Sequence, residues 1–550
     1  MIKNLKSIIL ASLAVVAGAM TSCTDKMDNW DTDSAYSRLF GAMSLSVTPT
    51  STTATVEYKG YSGAEKYQIQ YSTRELTDEV EPYAEGTSTI EVESKSKAEL
   101  TGLAGETNYY LRIRAIAEGK NPSKWVYYTT SSGQKYFTTK GEQIMNPVTS
   151  ADVTASTIRA SWEAGAEVTH LLVHQIGDEE NANDKTITLD DAAKTAGEYK
   201  VTDLRASTAY EISLWNGKGK RGSISASTTA EMPTTDYTKI LSADETLISG
   251  EMLNAIAAQA AADGKTNYGV TIGIPAGATV DLHTVGSEGN ANLKIPDGMS
   301  ITFFGMAGGD APTIKFQKNL DVAGNHSNIA FENVVIVDDG AGYFINQSAE
   351  CNVAQFTVKD SKVSGFKTAF FRLQGSTAKI IGKLTLENSI FHDMCSGYSF
   401  IHVDAGSGNG VVSNINIDKC TLYNIATGGK MFIYSKNTNM ESLKVSNTTF
   451  YNCIGANNYW VDFGAATYGC SGEFIFEKCL FTKTPDEVSK SIRASNEVVY
   501  TDSYKTNDFF KSLKCETLDM TSLAVFVNPA GADFTLTIDN KIGDPRWYKK

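Results

Sequence analysis

A short strand recurs along the second half of the chain, and its alternate positions carry side chains suited to recognition or proton transfer. Its copies are Phe344-Ile345-Asn346, Phe370-Phe371-Arg372-Leu373-Gln374, Phe400-Ile401-His402-Val403-Asp404, Phe432-Ile433-Tyr434-Ser435-Lys436 and Trp460-Val461-Asp462-Phe463. Successive side chains of a strand point to opposite faces. With Ile345, Phe371, Ile401, Ile433 and Val461 in a core, Asn346, Arg372, His402, Tyr434 and Asp462 form one outward stripe. Gln374, Asp404 and Lys436 run beside it, and Phe344, Phe370, Phe400, Phe432 and Trp460 are expected to stack at its edge. Aromatic rings pack on the apolar faces of sugars, and Arg and Lys pair with carboxylates in charge-assisted contacts. The expected glycan-binding set is therefore Arg372, Gln374, His402, Asp404, Tyr434, Lys436, Trp460 and Asp462, facing an extended acidic or neutral polysaccharide. The plain alternative is a solvated sheet whose aromatic row sits under a neighbouring turn, which would leave a structural or adhesive surface protein.

Catalysis would ask more of the same residues. A polysaccharide lyase neutralises a uronate carboxylate, often with Ca²⁺, and removes a proton with a positioned base. Asp404 and Asp462 could hold the cation, with His402, Arg372 or Lys436 as the base. Outside that alternative no cofactor or metal is expected. A glycosidase needs two carboxylates about 5–9.5 Å apart, and two coil steps put Asp404 and Asp462 at roughly 10 Å, loose for that role. No pectate-lyase or polygalacturonase string, Ser-His-Asp set, zinc motif or phosphate loop is present. His170-Leu171-Leu172-Val173-His174 mimics the i,i+4 spacing of a zinc helix. It aligns with Tyr67-Gln68-Ile69-Gln70-Tyr71, however, and on a strand its two rings stand roughly 13 Å apart, too far to share an ion.

The stripe needs a scaffold that repeats, and the sequence supplies one. Val358-Lys359-Asp360-Ser361-Lys362-Val363, Leu386-Glu387-Asn388-Ser389-Ile390-Phe391, Ile417-Asp418-Lys419-Cys420-Thr421-Leu422, Val445-Ser446-Asn447-Thr448-Thr449-Phe450 and Phe476-Glu477-Lys478-Cys479-Leu480-Phe481 superimpose, with Phe331-Glu332-Asn333-Val334 a looser copy. Ser361, Ser389, Cys420, Thr448 and Cys479 recur about every 30 residues, the mark of a solenoid. Each coil holds short alternating strands divided by Gly, Asn and Asp, with no helical half-repeat. The small residues should fall in one column, and Asp393, Asn424 and Asn452 could form a polar ladder at a bend. This pattern resembles a right-handed parallel β-helix of the pectin-lyase-like type. Leu247, Ile248, Met252, Leu253, Ile256 and Ala257 predict an amphipathic helix over Glu245–Ala262, placed to cap the first sheet edge.

Two earlier stretches match each other. Thr53-Ala54-Thr55-Val56-Glu57-Tyr58 corresponds to Thr157-Ile158-Arg159-Ala160-Ser161-Trp162, and Leu103-Ala104-Gly105-Glu106-Thr107-Asn108-Tyr109 to Leu204-Arg205-Ala206-Ser207-Thr208-Ala209-Tyr210. Leu-x₃-Thr-x-Tyr before an alternating strand is the tyrosine-corner pattern of Greek-key sandwiches. The pair resembles two fibronectin type III domains, with Trp162 at the family's core tryptophan and Tyr58 departing from it. Such modules bind ligands or act as spacers, and the spacer role is expected here.

The first residues bear on address. Lys3 and Lys6 precede an apolar run from Ile8 to Ala17, then small residues lead to Cys23. A basic start, a short apolar segment and a small-residue cleavage zone describe a secretory signal. The run falls short of the ~20 residues that span a bilayer. Cysteine at that point resembles a bacterial lipobox, which implies cleavage before Cys23 and acylation of its thiol. Asp25, Asp28, Asp31 and Asp33 then resemble the surface-export signal of Bacteroidetes lipoproteins. The formal net charge is −14, and an acidic balance argues against nucleic acid or an anionic membrane surface as partner. Cys351, Cys395, Cys420, Cys453, Cys470, Cys479 and Cys515 show no CxxC pair and read as small buried hydrophobes.

The expected organisation is a signal peptide at 1–22, a lipid-anchored acidic tether at 23–40, fibronectin type III domains at 41–140 and 141–235, and a parallel β-helix at 236–550. The class is all-β. The whole order, with the ending Gly543-Asp544-Pro545-Arg546-Trp547, resembles Bacteroidetes surface lipoproteins carrying a β-helix of uncharacterised function. That resemblance implies an outer-membrane anchor, an outward-facing protein, and a setting among glycan-uptake proteins that capture polysaccharides, pectins among them.

Overall fold

The computed structural model describes residues 38–406, 408–455, 457–487 and 490–549. Cys23 and the acidic run after it lie outside the described residues. The chain is all-β, with two fibronectin type III-like sandwiches followed by a parallel β-solenoid. Among the described residues no helix is long and apolar enough to cross a membrane.

In the first sandwich Met43–Pro49, Ala54–Lys59 and Lys97–Leu100 form one antiparallel sheet. Ser88–Val92, Lys66–Ser72 and Asn108–Ile116 form the other, with Val126–Tyr127 and Tyr136–Thr138 both pairing on the far side of Asn108–Ile116. Alternation sends Val56, Tyr58, Tyr67, Ile69, Leu111 and Ile113 into the core. The expected tyrosine corner is present, since the Ala104 N–H donates to the Tyr109 hydroxyl at 2.9 Å. In the second sandwich Ile158–Ser161 pairs with Glu198–Val201, and Trp162 is buried in its core. His170–Gln175 is a strand of the other sheet, as the alignment required. The His170 ring stacks on Trp215, whereas His174 Nδ1 lies 2.7 Å from Asp184 Oδ1, so the two histidines serve separate partners.

The solenoid stacks its coils into three parallel sheets of eleven, eleven and eight strands. Parallel stacking in register sets each residue on its counterpart in the next coil, so each column selects one kind of side chain. In the first sheet Phe331, Val358, Leu386, Ile417, Val445 and Phe476 pair in succession. These are the positions that superimpose in the sequence. The bend after this strand carries Asn333, Asp360, Asn388, Lys419, Asn447, Lys478 and Asp502 in the left-handed region, at φ of 45–55°. Asn and Asp tolerate that conformation better than most residues. The next residue in each coil is small because its side chain turns back onto the strand. Ser361, Ser389 and Thr448 hydroxyls donate to the carbonyls two residues earlier at 2.6–2.7 Å, and the Cys420 and Cys479 thiols do so at 3.3 and 3.4 Å.

At the next bend the polar ladder forms as expected. Asn424 Nδ2 donates to Asp393 Oδ1, and Asn452 Nδ2 to Asn424 Oδ1, each at 2.7 Å. The seven cysteines after residue 350 are all buried and unpaired. Burial drives every one of their thiols upward, Cys351 to about 11 and Cys453 to about 12, which makes them packing groups rather than nucleophiles.

Two expectations need correction. The helix runs over Gly250–Ala262, its Ser249 side chain accepting the Met252 N–H, while Leu247–Ile248 is a strand paired with Asp281 and Leu282. Leu253 and Ala260 are buried, and Met252, Ile256 and Ala257 pack on the solenoid core. The second correction concerns the aromatic row. Phe344, Phe370, Phe400, Phe432 and Trp460 do stack from coil to coil, at centroid separations of 4.8–5.6 Å. They do so inside the core, where each is at most 1% exposed. Tyr343–Gln347 begins at a corner of the coil, so Phe344 and Ile345 both point inward and strict alternation starts one residue later.

Candidate functional site

The third sheet carries the stripe in the expected register. Asn346, Arg372, His402, Tyr434 and Asp462 are successive partners, and Arg493 in the strand Ile492–Arg493 continues the row. What the row does with its charges differs from the simple outward face. Arg372 Nε and one Nη donate to the two oxygens of Asp404 at 3.1 and 2.7 Å. Arg493 grips Asp462 in the same two-pronged way, with both contacts at 2.8 Å, and the Gly464 N–H adds a third hydrogen bond to that carboxylate. Bidentate pairs of this kind fix geometry as well as compensate charge. Gln374 Nε2 donates to Asn346 Oδ1 at 3.0 Å, and Lys436 is exposed at the side.

His402 sits between these groups. Its ring centroid is 4.8 Å from that of Tyr398 and 4.9 Å from that of Tyr434. Nδ1 accepts the Ser399 N–H at 3.3 Å, and Nε2 lies 3.6 Å from Asp404 Oδ2. Burial outweighs the pull of Asp404 and, with Arg372 and Lys430 nearby, lowers its pKa to about 4. The imidazole is thus neutral at pH 7. Because the unfolded chain takes up a proton near pH 6.5 and the folded one only near 4, stability is intact above that window and falls as pH drops through it. We expect a loss on the order of 2–3 kcal/mol between about pH 6.5 and 4. Denaturation midpoints measured across that range should flatten in His402→Gln, and an unchanged slope would exclude His402 as the source.

The burial of Trp460 removes it from the contact set. Asp462 and His402, at 4% and 7% exposed, are buried rather than outward-facing, because Arg493 and the flanking tyrosines cover them. Rings that do reach solvent are Tyr343, Tyr398, Tyr434 and Tyr459, all half-buried. The Arg372 guanidinium lies 3.8 Å over the Tyr398 ring, and Arg493 and Lys490 lie 4.9 and 5.0 Å over Tyr459. Tyr343 and Tyr398 stack at 6.3 Å. Sequence reasoning missed Tyr343, Tyr398, Tyr459 and Arg493. The tyrosines left a signal, since each stands one or two residues before a core aromatic, in Tyr343-Phe344, Tyr398-Ser399-Phe400 and Tyr459-Trp460.

Chemically, the arrangement offers ring faces, amides and neutralised ion pairs along a flat sheet. The two carboxylates proposed for a cation each face an arginine instead. Among the described residues no group of three or more His, Cys, Asp or Glu is placed to hold a metal ion.

Fold and site together define a class: tandem fibronectin type III-like sandwiches joined in one chain to a parallel β-solenoid. Within it, residues 443–547 match the family model described as Domain of unknown function (DUF5123), a stretch that includes the last coils of the stripe and the closing Gly543-Asp544-Pro545-Arg546-Trp547. In that segment the buried Asp544 carboxylate accepts the Thr421 hydroxyl at 2.7 Å, and the Trp547 indole N–H donates to the same hydroxyl oxygen at 2.7 Å. Among solved structures, the chain is similar to a two fibronectin type III domain segment from chicken tenascin, at 17% identity over 34% of this chain and 97% of that one, with a TM-score of 0.21. It is also similar to the FN1–FN3 domains of chicken CNTN1, at 13% identity over 35% of this chain and 68% of that one, with a TM-score of 0.15. A search of curated proteins finds no match.

Proposed function

We propose that this chain is a surface lipoprotein whose solenoid, of the pectin-lyase-like type, binds an extracellular polysaccharide without cleaving it. The carrying observation is the rail of half-buried Tyr343, Tyr398, Tyr434 and Tyr459 beside the Arg372–Asp404 and Asp462–Arg493 pairs. Tyrosines on four of five neighbouring coils, with none on the coil of Phe370, offer rings to sugars along the row, and the paired charges hold the rings still. Preorganised contacts of this kind raise affinity by lowering the ordering cost. Of the groups a lyase would need, Arg372 and Asp404 are committed to each other and Asp462 to Arg493, while Lys436 stays exposed. In this reading Cys23 carries the lipid, the outer membrane is the address, and the sandwiches act as spacers.

Affinity electrophoresis of the intact chain through gels containing neutral and acidic polysaccharides tests the binding. Retardation by at least one polysaccharide is expected, and Tyr398→Ala combined with Tyr434→Ala should weaken it by about tenfold or more, since each stacked ring contributes roughly 0.5–1.5 kcal/mol. Unchanged mobility across the whole panel would sink the proposal, and unsaturated ends accumulating under ultraviolet detection would replace it with a lyase. Labelled palmitate should enter the wild-type chain in a bacterial host and not Cys23→Ser.

A further inference from the structure

The first sandwich departs from the second at two places on one sheet face. Residues 73–87 link Lys66–Ser72 to Ser88–Val92, whereas the counterpart between His170–Gln175 and Lys185–Thr188 is the shorter 176–184. The last strand, unbroken in the second sandwich as Gly219–Ser227, is split in the first into Val126–Tyr127 and Tyr136–Thr138 by residues 128–135. Between these two insertions lies a cleft of about 310 Å³ lined by Leu76, Thr77, Tyr110, Tyr127, Tyr128 and Lys135.

Both walls are fixed. Arg112, fully buried, donates to the Thr77 carbonyl at 2.5 Å, to the Val80 carbonyl and to Gln70 Oε1 at 2.8 Å, which pins the longer link onto the sheet. The Tyr127 hydroxyl donates to Asp78 Oδ1 at 2.6 Å. The opposite wall is a closed turn, with Thr130 N–H on the Gln134 carbonyl at 2.8 Å and Gly133 N–H on the Thr130 carbonyl at 3.0 Å. Lys135 Nζ meets Glu75 Oε1 at 2.8 Å across it.

We infer that this cleft binds one neutral sugar unit, a role beyond that of a spacer and independent of the solenoid rail. Its volume is at the small end of the ~300–1,000 Å³ typical of ligand sites, enough for a monosaccharide ring. Tyr110, Tyr127 and Leu76 offer the apolar surface that the C–H face of a pyranose packs on. The Lys135 ammonium and Glu75 carboxylate place a donor and an acceptor side by side, which suits two adjacent hydroxyls, one accepting and one donating. Their charges cancel, so a uronate or an amine gains nothing there. A spacer has no use for either insertion, and the second sandwich does without both.

Saturation-transfer NMR on the intact chain tests this, with glucose, galactose, mannose, xylose and arabinose as probes and galacturonate as the charged control. Transfer to the ring protons of at least one neutral sugar is expected. It should fall at least fivefold in Tyr127→Ala and in Lys135→Ala, and persist when Tyr398 and Tyr434 are both replaced by alanine in the solenoid. Lys135 is 69% exposed at its side chain, so its replacement leaves the sandwich folded. No transfer to any neutral sugar, transfer indifferent to both cleft variants, or stronger transfer to galacturonate would each overturn the inference. Any of these outcomes leaves the polysaccharide reading of the solenoid standing, because that is read from separate variants and a separate assay.

Discussion

Trp460→Ala should lower the unfolding free energy of the solenoid by about 3–5 kcal/mol, the usual loss when a buried Trp or Phe is cut to alanine. The ring is fully buried and makes edge contacts with Phe450, Phe481 and Phe509 at 5.1–5.5 Å, besides its tilted contact with Phe432 at 5.6 Å. Each solenoid coil is held mainly by its neighbours, so the cavity weakens the coils on both sides of residue 460. Denaturant titration followed by circular dichroism measures the loss. Trp460→Phe, which keeps most of the apolar volume, should recover more than half of it. If Trp460→Ala kept full stability while retardation in polysaccharide gels disappeared, the ring would be a surface contact and its place in the core would be wrong.

That experiment separates what could be read from the sequence from what could not. The repeat was legible because parallel stacking copies a column: Val358, Leu386, Ile417, Val445 and Phe476 sit on one another. The small column was legible for the same reason, and its bond to the carbonyl two residues back explains why Ser, Thr and Cys interchange there. Alternation failed at Phe344 and its equivalents because period two describes a straight strand, and these residues stand where the coil turns. Helical spacing failed at Leu247 and Ile248, which fit the stripe but precede Ser249, the residue that starts the helix.

The row of the site was legible and its electrostatics were not. Arg372 and Asp404 meet across one coil, as do Asp462 and Arg493. A single sequence shows charges at those positions but not which of them close on one another. Arg493 lies in a two-residue strand, Ile492–Arg493, too short to display a period. The three added tyrosines stood beside the aromatic row that drew attention, on the solvent side of the same corner. The stripe therefore keeps its register, while His402, Asp462 and Trp460 are buried and the rings that reach solvent beside it include Tyr343, Tyr398 and Tyr459.

Arg112→Met should cost the first sandwich about 3–5 kcal/mol, although methionine matches much of the arginine stem. The Val80 carbonyl and the buried Gln70 amide oxygen lose their donor, whereas the exposed Thr77 carbonyl keeps the Val80 N–H at 3.1 Å. An orphaned buried acceptor costs ~1–3 kcal/mol. The guanidinium also lies 4.1 Å over the Trp125 ring, with Arg114 at 4.4 Å, a stack that goes with the charge. The expected result is local before it is global, because this side chain holds the middle of residues 73–87, at Thr77 and Val80. Tyr127 on Asp78, Gln70 on the Glu81 carbonyl and Thr87, Ser72 on the Gly86 carbonyl, Tyr83 on Thr89 and Glu91, and Lys135 on Glu75 share the rest of the link. Hydrogen exchange should quicken over 73–87 at concentrations of denaturant that leave Lys66–Ser72 and Asn108–Ile116 protected. The sugar signal assigned to the cleft should fall in the same variant, since one wall of the cleft is that link. Protection of 73–87 unchanged in Arg112→Met would show that the link holds itself, and the rigid wall on which the cleft depends would then need another source.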